Sequence, residues 1–423
     1  MRILELEIEG FRSIASQAWR PGPLNVLIGP NAGGKSNLLR VLEFLSTAAQ
    51  GRLGQYVLRE GGIEPILFDG KLTPVSLQVK TTPLPPYTDE TRDALSYRLD
   101  LEQLGTSSAY RIGHEVLGNF CDWEAGKMPA PYKILERDQQ YAAVYPIAAQ
   151  KFEPVTTTTT TTPDPRSQWI ASQSTPTTLP PGETPEEEAL LSFMAGPLSL
   201  NHFAAEFRKE LASWKIYQDF QTHRDAGIRR AQVARADTQV DADGQNLIAV
   251  LHTLYTGNRD FEREIDTAMQ AAFGTDYEKL LFPPAADQRI QLRLRWKSLA
   301  QSRSAADLSD GTLRFLYLLT ILATPDPPPV IAIDEPEIGL HRTMLPIIAE
   351  FAREAARQAQ IIMTTHSPEF LDAFVGEPPT TTVVERQEGQ TVLRILSDEH
   401  LAYWLKKYTL GELFRSNELE ALT

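Results

Sequence analysis

Gly29-Pro30-Asn31-Ala32-Gly33-Gly34-Lys35-Ser36 decides the fold. The stretch fits the pattern G-x-x-x-x-G-K-[ST]. An apolar run, Leu24 to Ile28, enters it, and Leu38, Leu39, Leu42 and Leu45 follow at helical spacing. A strand, a glycine-rich turn and an amphipathic helix in that order make a cradle for phosphate. The glycines let backbone N–H groups turn inward, and the helix start adds its positive end. Lys35 supplies a point charge for β- and γ-phosphates, and the Ser36 hydroxyl suits Mg²⁺. Asn31, Gly33, Gly34, Lys35, Ser36 and Asn37 are therefore the candidate nucleotide ligands, with ATP and Mg²⁺ as the expected cofactors.

A second constellation lies near the other end of the chain. Val330-Ile331-Ala332-Ile333 reads as a strand buried on both faces and runs into Asp334-Glu335-Pro336-Glu337. A carboxylate at the end of such a strand can hold Mg²⁺ through its water shell, the role expected of Asp334. Glu335, one residue on, points elsewhere and can polarise an attacking water. A helix over about 342–358 leads to the next apolar strand, Ile361 to Thr364, which ends in Thr365-His366-Ser367. This is a βαβ unit and implies parallel pairing. Ligands gather at the carboxyl ends of parallel strands, so His366 is a candidate γ-phosphate contact. The catalytic set expected from the sequence is Glu335, His366 and Lys35.

Four features together resemble the ATP-binding-cassette ATPases of the SMC/RecF type. They are Ile8-Glu9-Gly10-Phe11-Arg12-Ser13-Ile14, the phosphate loop, Leu308-Ser309-Asp310-Gly311-Thr312-Leu313-Arg314, and the acid pair with its histidine. The resemblance implies an α/β P-loop NTPase with a mixed sheet flanked by helices. It implies head-to-tail dimers, or higher homo-oligomers, in which Ser309 and Gly311 cap ATP held by the other copy's Lys35. A plain helix N-cap is the alternative reading of Ser309. Asp310 stands where transporter-type cassettes carry glycine, which favours the RecF-like branch. In relatives, Arg12 sits where nucleotide is contacted. The family also implies a magnesium-sensing glutamine, for which Gln78, Gln140 and Gln150 are the candidates. Among RecF-like ATPases without long coiled coils, the chain is similar to overcoming-lysogenization-defect nucleases and to phage-defence ATPases that work with a separately encoded effector or nuclease. The 57 residues after His366 are too few for a Toprim nuclease domain, so no built-in nuclease is expected. The alternative is a DNA-repair clamp resembling RecF.

The rest of the chain sets limits. Its 41 basic and 55 acidic residues give a net charge of −14, which argues against coating nucleic acid through bulk charge. One cysteine excludes a disulfide framework and a Cys-rich zinc site. No apolar run reaches the roughly 18 residues of a membrane span, so a soluble, cytoplasmic protein is expected. Arg289, Arg293, Arg295 and Lys297 fall on one face of an expected strand over 289–297, with Arg229, Arg230 and Arg235 as an extension. That face suits a phosphate backbone or, equally, a solvated surface balancing nearby acids. The expected organisation is a first ATPase lobe over 1–153, a disordered Thr/Pro-rich insertion over 154–188 with seven consecutive threonines, a helical insertion over 189–284, and a second ATPase lobe with a short tail over 285–423.

Overall fold

A computed structural model describes residues 1–70, 74–105, 108–127, 131–138, 141–145, 177–179, 185–195, 201–374, 376, 378–396 and 408–416. The chain forms two compact units that do not follow sequence order. One comprises Met1–Arg20, Arg40–Trp214 and Glu388–Thr391; the other comprises Pro21–Leu39, Lys215–Gln387 and Val392–Thr423. The phosphate loop thus packs with the C-terminal half of the chain rather than with an N-terminal lobe.

The reason is strand pairing. The sheet of this second unit has the order Lys215–Tyr217, Val330–Ile333, Gln360–Thr364, Leu24–Ile28, Thr380–Gln387, Gln390–Ile395. The first five strands run parallel, with Tyr217 opposite Ile333, Ile331 opposite Ile361, Met363 opposite Val26 and Thr382 opposite Leu27. Leu24–Ile28 is therefore a central strand between two strands from the far end of the chain. All four residues of Val330–Ile333 are buried, as a continuous apolar run predicts for a two-sided strand. Fully buried Asn25 is paired: Gly22 N–H donates to its Oδ1, and its Nδ2 donates to the carbonyls of Gly22 and Ile361. Helix Asp310–Leu322 is buried around almost its whole circumference, and helices Leu247–Gly257, Arg259–Phe273 and Leu345–Ala355 contribute to the same core. The longest helices described have 15 residues, so the described residues contain no long coiled coil.

The expected strand over 289–297 is broken. Arg289–Ile290 joins a small sheet with Gln232–Val233 and Pro284–Ala285, whereas Arg293–Trp296 joins Tyr277–Leu281 and Arg303–Ser304. Ile290, Leu292 and Leu294 are all buried, as the alternation predicts, but the pairing partners change between 290 and 293, where the carbonyl of Leu292 accepts the N–H of Ala305.

The other unit is built on an eight-stranded sheet, antiparallel at every pairing, that begins with Ile3–Phe11 and Ile14–Trp19. Leu6 and Ile8 are buried while Glu7 and Glu9 are exposed, the alternation of a one-sided strand. Its last strand is Thr177–Leu179, paired with Tyr141–Val144. This strand and residues 185–188 qualify the expectation of disorder over 154–188; 154–176 and 180–184 lie outside the described residues. Arg137 donates to the carbonyls of Pro185 and Glu188, and the Glu188 carboxylate accepts the N–H groups of Leu53 and Gly54 at a helix start. Glu188 is therefore an attachment point and not a solvated acid. The expected helical region divides likewise: His202–Ala212 belongs to this unit, and the helices from Leu247 onward belong to the other.

Candidate active site

The loop after Leu24–Ile28 runs against the carbonyl of Val384. A Cβ on Gly29 would lie 2.0 Å from that oxygen and one on Gly33 2.6 Å, so side chains are excluded at both positions. Gly29 and Gly34 adopt φ of 139° and 113°, which also require glycine. Lys35 opens the helix and is buried at 5% exposure; its Nζ donates to the carbonyls of Gly29 at 2.9 Å and Pro30 at 3.1 Å. Burial pushes its pKa down to about 8, and the nearby carboxylates of Glu335, Asp334 and Glu337 oppose that shift.

Parallel pairing brings the distant motifs to this loop. Ser36 Oγ donates to Asp334 Oδ2 at 3.1 Å. Thr364 Oγ1 donates to Asp334 Oδ1 and accepts the N–H of Glu335 at 3.0 Å. Glu335 has φ of 47°, unusual for a residue with a side chain. Its Oε1 lies 3.2 Å from His366 Nε2. Burial, reinforced by the Lys35 charge, lowers the His366 pKa and so disfavours an imidazolium beside Glu335. Glu337 completes the corner: its Oε1 accepts from Thr365 Oγ1 at 2.5 Å and from His366 N–H at 3.1 Å, and burial raises its pKa. The oxygen donors Ser36 and Asp334 suit a hard divalent cation.

At the signature segment, Ser309 is exposed and caps helix Asp310–Leu322, its Oγ accepting Thr312 N–H at 3.2 Å. A Cβ on Gly311 would lie 2.6 Å from the carbonyl of Gly339, so glycine is required for the helix start to meet the loop after the acid pair.

A family model described as "AAA domain, putative AbiEii toxin, Type IV TA system" matches residues 24–117 and 162–372, well over half of the chain. The chain belongs to this family. No curated protein matches it significantly. Among solved structures it is similar to an Smc head bound to the C-terminal winged-helix domain of ScpA, with TM-score 0.54 and 13% identity over 95% of this chain and 100% of that one. It is also similar to an Smc head with an extended coiled coil, bound to the C-terminal domain of ScpA derived from Pyrococcus furiosus, with TM-score 0.52 and 12% identity over 96% and 99%. These likenesses establish the fold, that of an ABC-type P-loop ATPase head. The AAA-domain chain is thus an ATPase of the SMC/ABC-like kind. Among its described residues, no helix is long and apolar enough to cross a membrane.

Sequence reasoning missed one residue of this AAA-domain site. Gln218 follows strand Lys215–Tyr217, and the N–H of Asp334 bonds the carbonyl of Tyr217 at 2.9 Å. Gln218 therefore stands beside the acid pair. Its Nε2 is buried without a partner among the described residues, and it lines a polar cavity of about 260 Å³ with Phe220, Arg314, Asp334 and Glu335. Of the glutamines named from sequence, Gln78 lies in mid-strand opposite Glu7 and Arg98 in the other unit, and Gln140 and Gln150 are outside the described residues. Gln218 takes their place as the candidate.

Arg12 and the basic face remain to be placed. Arg12 belongs to the antiparallel unit, where its guanidinium pairs with Glu60, which also holds Arg40 at 2.9 Å. The basic face is largely engaged with the chain itself. Arg293 donates to Ser302 Oγ and its carbonyl, Arg295 to the carbonyl of Ala300, and Lys297 to that of Thr275. Arg229 is not a surface cation. Its side chain is 8% exposed and grips the carbonyls of Thr222, Ala305, Ala306 and Leu308 and the carboxylate of Asp310. It ties the loop after Gln218 to the signature segment.

Proposed function

We propose that the chain is an ATP-driven switch. Two copies close head to tail around ATP, hydrolysis releases them, and the closed state controls a separately encoded effector in phage defence. The observation that carries this reading is the convergence of Lys35, Ser36, Asp334, Glu335 and His366 at the carboxyl ends of one parallel sheet. The loop N–H groups and Lys35 take the β- and γ-phosphates, with Asn31, Gly33, Gly34 and Asn37 around them. Ser36 and Asp334 would hold Mg²⁺, which would offset charge on the phosphate oxygens, and Gln218 faces the same space. Glu335 accepts a proton from water as its oxygen attacks the γ-phosphorus and the bond to the β–γ bridging oxygen breaks. His366 steadies Glu335 and the γ-phosphate, while Ser309, exposed at its helix start, and Gly311 cap the partner's nucleotide.

Glu335→Gln tests the switch. Turnover falls roughly 10²–10⁴-fold, and ATP traps a larger assembly on size exclusion. An assembly state that ignores ATP in this variant removes the head-to-tail mechanism.

The toxin–antitoxin wording of the family and the partner domain on the similar Smc heads support a role with a second protein. Co-purification with the product of the neighbouring gene tests it, and absence of any complex with or without ATP rejects it. The repair-clamp alternative draws little support from a basic face already bonded to its own backbone.

A further inference from the structure

Arg314 stands one turn into the signature helix, and its role is not explained by nucleotide binding within its own copy. Its Nη2 donates to the backbone carbonyl of Glu335 at 3.2 Å. That is its one hydrogen bond among the described residues, although the carboxylates of Asp334, Glu335 and Glu337 are all close enough to act on its charge. Its Nε is buried without a partner among the described residues. The residue it holds has φ of 47°, a conformation that a residue with a side chain keeps only when its surroundings impose it. The same helix meets the same loop a second time, where Gly311 packs against the carbonyl of Gly339. Signature helix and acid loop are thus joined at both ends of 335–339.

We propose that Arg314 is a positioning residue that couples the two ATP sites of an assembly. The helix whose first turn caps the partner's ATP holds, through Arg314, the backbone of the carboxylate that serves its own. This rests on the head-to-tail reading above. Engagement of Ser309 by the partner's γ-phosphate shifts the helix start; Arg314 carries the shift to the Glu335 peptide and so to its carboxylate. The link is charge-assisted and short, and a misplacement of about 1 Å at such a group costs on the order of 10²-fold in rate. The unfilled donor at Nε gives Arg314 a second bond to make when the site closes.

The test uses full-length protein with Arg314→Gln and Arg314→Lys. Affinity for a fluorescent ATP analogue stays within about twofold, while kcat of Arg314→Gln falls about tenfold or more. Mixed assemblies then separate coupling from simple damage. With Lys35→Ala copies in excess, each wild-type copy faces an empty partner, and its rate per filled site falls about fivefold or more. When the filled copy carries Arg314→Gln, filling the partner site no longer changes its rate, because the relay is already cut. Arg314→Gln turning over at the wild-type rate overturns the proposal. So does a loss that appears wholly as weaker ATP binding, or a filled-site rate indifferent to the partner in otherwise wild-type assemblies. If Arg314→Gln does not fold, Arg314→Lys, which keeps the charge but not the planar fork, is read by the same criteria. Wild-type protein without ATPase activity sinks the underlying reading; an active wild type with indifferent Arg314 variants sinks only the relay.

Discussion

Glu115 in the antiparallel unit and Glu337 in the parallel one are both carboxylates whose pKa burial raises, and they are finished differently. Glu115 is fully buried, and both its oxygens are matched. Tyr97 Oη and Leu191 N–H donate to Oε1 at 3.0 and 2.8 Å, and Leu190 N–H donates to Oε2 at 2.6 Å. Among the described residues Glu337 is matched on Oε1 alone, and its Oε2 is buried without a partner. A satisfied buried carboxylate is scaffold: it fixes the segment Leu190–Phe193 to the sheet. An unsatisfied one costs stability and persists where the arrangement must change or receive something. Gln218 Nε2 and Arg314 Nε, also without a partner among the described residues, line one polar cavity with Asp334 and Glu335.

Mutation can break or sharpen that contrast. The largest expected effect is Glu115→Ala, which leaves its donors unpaired and lowers stability by about 3–5 kcal/mol in denaturant unfolding, with activity lost only as the fold is lost. Lys35→Ala comes next. Calorimetry should show ATP affinity roughly 10–100-fold weaker while the protein stays folded. The depressed Lys35 pKa adds a pH signature. Below about 8 the ammonium is already protonated and ATP affinity is flat; above it, binding takes up a proton and affinity falls by up to about tenfold per pH unit. Without nucleotide the sign reverses. The unfolded chain binds more protons between about 8 and its ordinary 10.5, so this lysine makes stability rise with pH across that window. Glu337→Gln keeps the shape and an acceptor, so stability stays within about 1 kcal/mol while kcat falls about tenfold through a loosened His366. If Glu337→Gln unfolds as Glu115→Ala does, the contrast is void. Arg295→Ala is the smallest, within about 0.5 kcal/mol of wild type in unfolding.

What could be read from the sequence follows from how locally each feature is encoded. The phosphate loop is contiguous, and its glycines are demanded by contacts that no side chain could share, so the pattern alone finds it. The acid pair and His366 each end an apolar strand, which marks them as strand-end groups. Gln218 carries no such mark: its strand has three residues, and its place beside Asp334 is set by register with Val330–Ile333. Arg229 and the 289–297 segment misled for a related reason. Charge and alternation are visible in a sequence, but carbonyls waiting to be bonded are not. The period of 289–297 is right in burial, but a sequence does not show that its two halves pair with different strands.

The strand order of the parallel sheet has a consequence for synthesis. Leu24–Ile28 emerges early, yet its neighbours are Gln360–Thr364 and Thr380–Gln387. At roughly 5–20 residues per second, a ribosome needs on the order of 18–70 s between them. Throughout that interval the phosphate loop lacks both flanking strands and the carbonyl of Val384 that shapes it. An interrupted translation product therefore carries an intact loop sequence but no working nucleotide cradle. Nucleotide binding by this chain therefore waits until the strand Thr380–Gln387 has been made.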